Sequence, residues 1–209
     1  MRGDIGKIRL AIVCGLVALF GFAAAQPGES QPSIELGLGL ANAWTETTSS
    51  DMGHHWGWNF IADTGWDFSV PLGSPQGETQ GAVSLSFLPG FRTQILDIGA
   101  SNWLSDGSRY RAWNAFGFGP ELNLGLKISS GRPGYFYRIY VEGAFLANLS
   151  NYTNTTLYSA YTSWLVGTGW AMKIDRSWSV GLQIPVEFAT RSDGRSVIAG
   201  ISAGGRYAF

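Results

Sequence analysis

The chain has 209 residues, enough for one domain, and its formal net charge is −1. Only 14% of the residues are charged, against about 25% in an average soluble domain, whereas 14% are aromatic and 29 residues are glycine. This composition excludes the clustered basic surface of a nucleic-acid-binding protein, and past residue 25 no apolar run approaches the roughly 18 residues of a transmembrane helix.

The N-terminal segment, residues 1–25, has the pattern of an export signal. Basic residues precede the apolar run LAIVCGLVALFGF (residues 10–22), and three alanines follow it. We predict cleavage after Ala25, with an uncleaved anchor as the alternative, and residues 26–32 as a short periplasmic segment. Cys14 is the only cysteine, so the mature chain is expected to have no disulfide and no thiol chemistry.

After residue 33 the hydrophobic pattern has a period of two, which is typical of β-strands. In IELGLGLANAW (residues 34–44) large apolar residues alternate with Glu35 and small residues. The same alternation recurs in WGWNFIADTGWDFSV, AVSLSFLPGFR, FGFGPELNLGLK, YFYRIYVEGAF, YSAYTSWLVGTGWAMK, WSVGLQIPVEF and SVIAGISAGGRYAF. The pattern predicts about eight antiparallel strands, an even number, spanning residues 33–209.

The connections between these stretches are predicted to be of two kinds. The turn-like connections are residues 71–78, 129–134 and 175–177. The longer, polar connections are residues 45–55, 93–109 and 148–156, with 191–195 as a short exception. In an up-and-down sheet the turns and both termini would lie at one end and the loops at the other.

Three prolines, Pro89, Pro120 and Pro185, interrupt the proposed strands. Because proline cannot donate to the ladder, they predict bulges or strand ends. The registers around them stay open at the level of the sequence.

The two faces of the strands distinguish a soluble, lipocalin-type barrel from a membrane barrel. The face with large apolar residues carries no charged residue along the eight stretches, and an Arg or Lys facing lipid at the midplane costs about 2–4 kcal/mol. The other face is mostly Gly, Ser and Ala with charges of both signs, as a narrow lumen with paired charges requires. The predicted lumen charges are Glu35, Arg92, Glu121, Lys127, Arg138, Glu142, Glu187 and Arg206.

Aromatic residues are predicted to form two girdles around an aliphatic band, a pattern that favours the membrane barrel. Near the turns and the C-terminus lie Trp66, Phe68, Tyr135, Tyr137, Trp170 and Trp178. Near the longer loops lie Trp44, Trp56 and Trp58.

The chain ends in GGRYAF, with Gly204, Tyr207 and Phe209 in the order Gly-x-x-aromatic-x-aromatic. The alternation and this ending resemble the small eight-stranded outer-membrane β-barrels of diderm bacteria, the group of OmpA-, OmpX- and OmpW-type proteins. In that group the barrel-assembly machinery reads the last strand as a folding signal, and Ala203 departs from the polar residue usual before the glycine. The resemblance implies an all-β, eight-stranded antiparallel up-and-down transmembrane barrel in the outer membrane, surrounded by its lipids and monomeric.

The sequence offers little catalytic chemistry. The two histidines, His54 and His55, are adjacent in a predicted loop near Asp51, without the spacing of a hydrolase or of a barrel deacylase. We interpret them as solvated loop residues and predict no catalytic residue, no cofactor and no metal site. Three Asn-x-Ser/Thr triplets, within residues 148–156, are interpreted as part of a polar external loop rather than as glycan sites.

Three functions remain open from the sequence. The first is a structural or interaction role, in envelope integrity or surface contact, through loops that meet an unidentified external partner. The second is a narrow pore or a route for small hydrophobic solutes, and the third is a lipid-modifying enzyme. Charges packed into the lumen favour a closed interior and hence the first function.

Overall fold

The computed structural model describes residues 31–47, 52–72, 83–129, 135–152, 158–175, 177–192 and 194–209. They form eight strands: β1 (Gln31–Thr47), β2 (Met52–Pro71), β3 (Val83–Ile98), β4 (Trp113–Ser129), β5 (Phe136–Tyr152), β6 (Tyr158–Lys173), β7 (Trp178–Arg191) and β8 (Gly194–Ala208). Each strand is antiparallel to the next and β8 pairs with β1, so the sheet closes into a barrel. The predicted all-β, eight-stranded fold is confirmed. The export signal lies outside the described residues.

The barrel has two ends that differ in their connections. The turn end carries both ends of the barrel segment and the β2–β3, β4–β5 and β6–β7 connections, and the loop end carries the other four. The predicted difference in length is only partly present. The β2–β3 connection (72–82) is longer than the β1–β2 connection (48–51) at the loop end, and the longest connection is β3–β4 (99–112).

The strands are longer at the loop end than the sequence predicts. They have 14 to 20 residues, whereas a strand needs about 9–11 to cross a bilayer. The predicted loops are therefore wrong in part, because Met52–His55, Thr93–Ile98 and Asn148–Tyr152 are strand. In these extensions the alternation continues with reversed polarity: Leu96 and Ile98 point inward and Asp97 points outward, so large apolar residues no longer mark the outer face.

The prolines inside strands cause neither bulges nor strand ends, contrary to the prediction. The pairing of β2 with β3 is interrupted opposite Pro89 and resumes at Phe68–Phe87 in the same register. Pro120 and Pro185 interrupt the β4–β5 and β7–β8 pairings in the same way. Each proline remains continuously paired with its other neighbouring strand, which holds the backbone in place where one ladder bond is missing.

The large apolar face points outward, which excludes the lipocalin-type alternative. Leu36, Leu38 and Leu40 are 52%, 61% and 62% exposed, and comparable apolar side chains cover all eight strands. Along the eight strands, as far as their residues are described, outward charged residues appear only towards the loop end, where Glu46 neighbours Arg195 across the β1–β8 seam. The described residues include no helix that is long and apolar enough to cross a membrane.

The inner face leaves room for large side chains by placing glycine opposite them. A Cβ at Gly169 would collide with the ring of Tyr140, and one at Gly167 would lie 3.0 Å from Cγ of Glu142. These glycines therefore make the lumen wide enough for the side chains that fill it.

Candidate functional site

The centre of the lumen is organised around Arg92, which is fully buried. Its Nε and Nη2 donate to the two carboxylate oxygens of Asp63 at 3.1 and 3.0 Å. Nη2 also lies 3.2 Å from Glu121 Oε1 and 3.0 Å from Glu142 Oε2. One guanidinium thus contacts three buried carboxylates from three other strands, a charge-assisted arrangement that fixes their mutual positions.

A second group links this centre to the seam where the barrel closes. Gln183 accepts from Arg92 Nη2 at 3.3 Å and donates from Nε2 to Glu35 Oε1 at 2.8 Å. Glu35 Oε2 in turn pairs with Arg206, its neighbour across the β1–β8 ladder. The first and last strands are therefore joined by an ion pair as well as by backbone hydrogen bonds.

Towards the loop end the lumen is filled by uncharged polar groups and one acid. Gln94 Nε2 donates to Glu187 Oε2 at 2.7 Å, and Asn148 Nδ2 donates to Ser163 Oγ at 2.8 Å. Asn148 is only 2% exposed and lies in β5, so its interpretation as an external loop residue is wrong.

Towards the turn end lies a third group of ionic side chains. Lys127 Nζ is 2.6 Å from Asp67 Oδ2 and donates to Ser69 Oγ at 2.7 Å. Arg138 is buried, with its guanidinium carbon 4.7 Å from the centre of the Tyr140 ring.

The loop end of the lumen is closed by a layer of apolar and aromatic side chains that was not predicted from the sequence. Trp113, Leu96 and Ile98 are almost fully buried there. The guanidinium of Arg191 lies 4.3 Å from the Trp113 ring centre and 5.5 Å from that of Tyr161, within cation–π range. The signal for this layer was the continued alternation through residues 94–98, where inward positions become aliphatic.

Both histidines lie in β2 and not in a loop, so their interpretation as solvated loop residues is wrong. His55 is fully buried, with Nδ1 2.9 Å from the Gly99 carbonyl and its ring edge-on to Tyr110. His54 Nε2 lies 2.9 Å from Asn42 Oδ1. Neither ring contacts a carboxylate or a nucleophile in these interactions. Asp51 lies outside the described residues.

All eight predicted lumen charges point inward, and the structure brings most of them into the groups above. Lys127 and Arg206 are half-buried, and the other six, Glu35, Arg92, Glu121, Arg138, Glu142 and Glu187, are buried. Asp63, Asp67, Gln94 and Gln183 complete the groups and were not among the predicted residues, although Asp63 and Asp67 share the inward face of β2.

The predicted girdle residues lie on the outer face. Trp66 is half-buried, and the exposed members are Trp44, Trp56, Trp58, Phe68, Tyr135, Tyr137, Trp170 and Trp178. At the turn end Trp178 and Tyr207 are 5.0 Å apart, and Tyr207 and Phe209 are 5.1 Å apart, measured between ring centres. Gly204 faces the lumen in the same strand.

The β3–β4 connection (99–112) folds into a small hairpin at the loop end. Trp103 and Arg109 form an antiparallel bridge, and the Arg109 guanidinium lies 4.1 Å from the centre of the exposed Trp103 ring. Asn102 fixes the hairpin to β2: its N–H donates to the His54 carbonyl at 3.0 Å, and its Oδ1 accepts from the His54 N–H at 2.7 Å.

The tip of this hairpin is held by Asp106. Hydrogen bonds from the Ser108 hydroxyl and backbone N–H keep the pKa of Asp106 below its ordinary value. Gly107 follows with φ of 77°, a conformation that favours glycine. The ionised carboxylate therefore stabilises the tip at neutral pH, and this contribution is lost as the pH falls through the lowered pKa.

Comparison with known proteins supports the barrel architecture but assigns the chain to no family. No family model and no curated protein sequence matches the chain. Its fold is similar to that of neisserial surface protein A (NspA), with a TM-score of 0.50, 12% identity, and coverage of 84% of this chain and 97% of that one. The predicted resemblance to small eight-stranded outer-membrane barrels is thereby confirmed as a resemblance of fold.

Two further matches are weaker. The Ail protein of Yersinia pestis, in complex with the heparin analogue sucrose octasulfate, matches with a TM-score of 0.36, 14% identity and coverage of 86% of this chain and 100% of that one. The outer membrane protease OmpT of Escherichia coli matches with a TM-score of 0.41, 10% identity and coverage of 88% and 98%.

Proposed function

We propose that this protein is an integral outer-membrane barrel with a closed lumen, and that it acts in envelope integrity or surface contact through its loop end. The observation that carries the proposal is the filling of the lumen by two successive layers. Arg92 with Asp63, Glu121 and Glu142, the Arg92 group, occupies the middle. Trp113 with Leu96 and Ile98, the Trp113 layer, occupies the loop end. Both consist of buried side chains in mutual contact, as expected for a packed interior rather than an aqueous channel.

The outer surface supports insertion into a bilayer. A continuous apolar band of this kind is unfavourable in water, and it ends near Glu46 and Arg195 at the loop end. Aromatic side chains lie near both margins of the band, where the headgroups would begin. Outer-membrane lipids are therefore the expected surroundings of the barrel. We expect the barrel to be a monomer with its loop end facing the exterior.

The external surface that we assign to contact is the β3–β4 hairpin. Trp103 is 66% exposed and stacks with Arg109, which gives the tip both an aromatic face and a positive charge. Its two hydrogen bonds to His54 hold it against the barrel. A rigid, exposed aromatic–arginine pair is the kind of side-chain combination that is enriched in binding hot spots.

The C-terminal segment supports assembly through the barrel-assembly machinery. Tyr207 and Phe209 pack their rings edge-on at the turn end, and Gly204 lies on the opposite face. We further propose that residues 1–25 are the export leader and that a short periplasmic segment follows; the predicted segment of residues 26–32 is too long at its end, because β1 begins at Gln31.

Conductance across a planar bilayer tests the closed lumen. Purified protein is inserted, insertion is verified by protection of the barrel from protease, and current is recorded under voltage. A closed lumen predicts no steady open current. A reproducible conductance would favour the alternative, a narrow pore or solute route, and would contradict this proposal.

The third function, a lipid-modifying enzyme, has the least support. His55 is buried in the lumen and His54 bonds to Asn42, so neither is arranged as a base beside a nucleophile. Replacing both histidines with glutamine and comparing the membrane lipid profile tests whether they have a catalytic role. We expect an unchanged profile, and an altered profile would support the lipid-modifying enzyme.

A further inference from the structure

His55 fastens the β3–β4 hairpin from inside the barrel. Its Nδ1 lies 2.9 Å from the Gly99 carbonyl at the start of the connection, and its ring is edge-on to Tyr110 on the other side, with ring centres 5.4 Å apart. The two sides of the hairpin are joined there by the Ser101 N–H, which donates to the Tyr110 carbonyl at 2.9 Å. One fully buried side chain therefore contacts both sides of the base of the hairpin.

The surroundings of His55 favour its neutral form. A carbonyl oxygen only accepts hydrogen bonds, so Nδ1 carries one proton, and the charged ring needs a second proton on Nε2. Nε2 is buried and has no hydrogen-bond partner within the described part of the chain. It is also closely packed, because a Cβ at Gly53 would lie 3.2 Å from it. A second proton would therefore place a charge in a buried position where no described residue accepts from it.

The charged groups that face His55 act in the same direction. Burial has the largest effect and lowers the pKa of His55 below its ordinary value. The guanidinium of Arg191, at the end of β7, and the neighbouring His54 lower it further, while the hydrogen bond to Gly99 opposes them. The ring is therefore expected to stay neutral at pH values at which an exposed histidine is largely charged.

Other titratable groups on the elements around this ring give it no counter-charge in the part of the chain that the structure describes. The acidic ones are Glu46 on β1, Asp97 on β3 and Glu187 on β7. The first two point outward, and Glu187 bonds to Gln94 further from the loop end. Tyr110 and Tyr152 of β5 contact each other through their hydroxyl oxygens, which are 3.1 Å apart.

His55 also lies beyond the lipid-facing part of the barrel. The outward Asp97 of β3 pairs with Trp58 of β2, and His55 is further along β2 towards the loop end. Because this end is expected to face the exterior, the external pH governs the protonation of His55.

We propose that His55 is a pH-sensitive latch for the contact surface: the neutral ring holds the β3–β4 hairpin against the barrel, and protonation releases it. In the released form water solvates the charged imidazole, which is not possible in the closed form. Mild acid then removes the rigid presentation of Trp103 and Arg109. This inference rests on the function proposed for the hairpin. Release of the hairpin and conductance of the lumen are measured separately, so a failure of the latch is distinguishable from a failure of the proposed function.

The pH range of the latch follows from the lowered pKa of His55. The closed hairpin has its full stability above about pH 6.5, the ordinary value for histidine, and loses it as the pH falls from there towards the lowered pKa. Uptake of one proton changes the ratio of closed to released hairpin by at most about tenfold per pH unit. Asp106 at the tip acts in a different range, because its pKa lies below that of an ordinary carboxyl group.

Amide hydrogen exchange of the unmodified barrel in detergent micelles tests the latch. The Ser101 and Asn102 N–H groups donate to the Tyr110 and His54 carbonyls, so their protection, taken relative to an unstructured peptide at the same pH, reports the closed hairpin. Between about pH 6.5 and pH 5.5 this protection is expected to fall by up to about tenfold, while that of the Leu38 amide in the middle of β1 stays constant. Unchanged protection of the hairpin amides, or an equal fall at Leu38, would overturn the proposal.

Matched histidine variants assign the effect to one ring. His55→Gln keeps a side-chain N–H for the Gly99 carbonyl but takes up no proton, so its hairpin protection is expected to be independent of pH over this range. His54→Gln is expected to retain the fall, because His54 holds the hairpin through its backbone. An undiminished fall in H55Q, or an equal loss of the fall in H54Q, would contradict a latch at His55.

If H55Q fails to fold, nitrogen NMR of the His55 ring in the unmodified barrel decides. The proposal requires Nε2 to stay unprotonated while the Ser101 amide is protected, and to gain its proton as that protection is lost. A ring that becomes charged without a change in the protection of Ser101 would overturn it.

Discussion

At the scale of single residues, Arg92 is the side chain on which the polar interior depends. It contacts Asp63, Glu121 and Glu142 at once, and each of these acids is at most 5% exposed. Carboxylates brought this close repel one another and lose solvation, and the shared guanidinium offsets both costs. The arrangement joins β2, β3, β4 and β5 inside the barrel.

We predict that Arg92→Ala destabilises the folded barrel by about 3–5 kcal/mol, or prevents folding, because three buried acids lose their common partner. Urea unfolding in detergent or lipid vesicles measures the change. The exposed variant Arg195→Gln is the control and is expected to remain within about 0.5 kcal/mol of the original protein.

A double variant separates loss of charge balance from loss of packing. Adding Glu142→Gln to Arg92→Ala removes one of the repelling charges and is expected to restore part of the lost stability. If the double variant is less stable than Arg92→Ala alone, electrostatic balance is not the role of Arg92.

At the scale of elements, each strand has two faces whose character changes along its length. The outward face is apolar in the middle and polar near the loop end, where Asp97 neighbours Asn114. The inward face is ionic in the middle and apolar at the loop end, as Arg92 and Ile98 of β3 illustrate. This change follows from the surroundings: lipid ends before the strands do, and the projecting part of the barrel needs an ordinary apolar core.

We predict that Leu38→Arg destabilises the barrel in a bilayer by about 2–4 kcal/mol, because Leu38 lies in the middle of β1 on the outward face. Unfolding from lipid vesicles measures the effect. Trp103→Arg provides the comparison, since Trp103 is also exposed but belongs to the loop-end hairpin, and it is expected to change stability little. Equal effects of the two substitutions would argue against a lipid-facing β1.

At the scale of the whole molecule, closure between β1 and β8 unites the barrel. The Phe209 N–H donates to the Pro32 carbonyl at 3.0 Å, and the Ala208 N–H donates to the Ser177 carbonyl at 2.8 Å. The rings of Trp178, Tyr207 and Phe209 pack beside one another over the same junction. The last residues therefore contact β1 and the start of β7, the two strands on either side of β8.

We predict that deletion of Phe209 impairs assembly far more than Trp103→Ala does. The deletion removes a ring contact, a seam hydrogen bond and the last aromatic of the proposed assembly signal, whereas Trp103 is an exposed loop-end residue that stacks with Arg109. The proportion of heat-modifiable, folded protein in the outer-membrane fraction measures both. Normal insertion of the truncated chain would contradict an assembly role for the C-terminal segment.

The sequence by itself determined the strand number, the antiparallel class and the face of most residues, because alternation between two faces is a local property of an extended chain. It also predicted which charges point inward. Only the tertiary structure decided which of them meet, since the partners are distant in sequence: Glu35 and Arg206 are 171 positions apart, and Arg92 and Gln183 are 91. Such contacts depend on the register of every strand and on closure of the ring.

Dependence on distant strands also explains why some predictions from the sequence were wrong. A proline such as Pro89 looks like a break when its own strand is read alone, but its second neighbour, β4, keeps the register. Residues 94–98 were predicted to be a loop, because apolar residues there point inward and the polar Asp97 points outward. They are strand, and Leu96 and Ile98 pack with Trp113 in the layer at the loop end. Local pattern gives the two faces of a strand, and only the assembled barrel determines whether a face meets lipid, water or a packed interior.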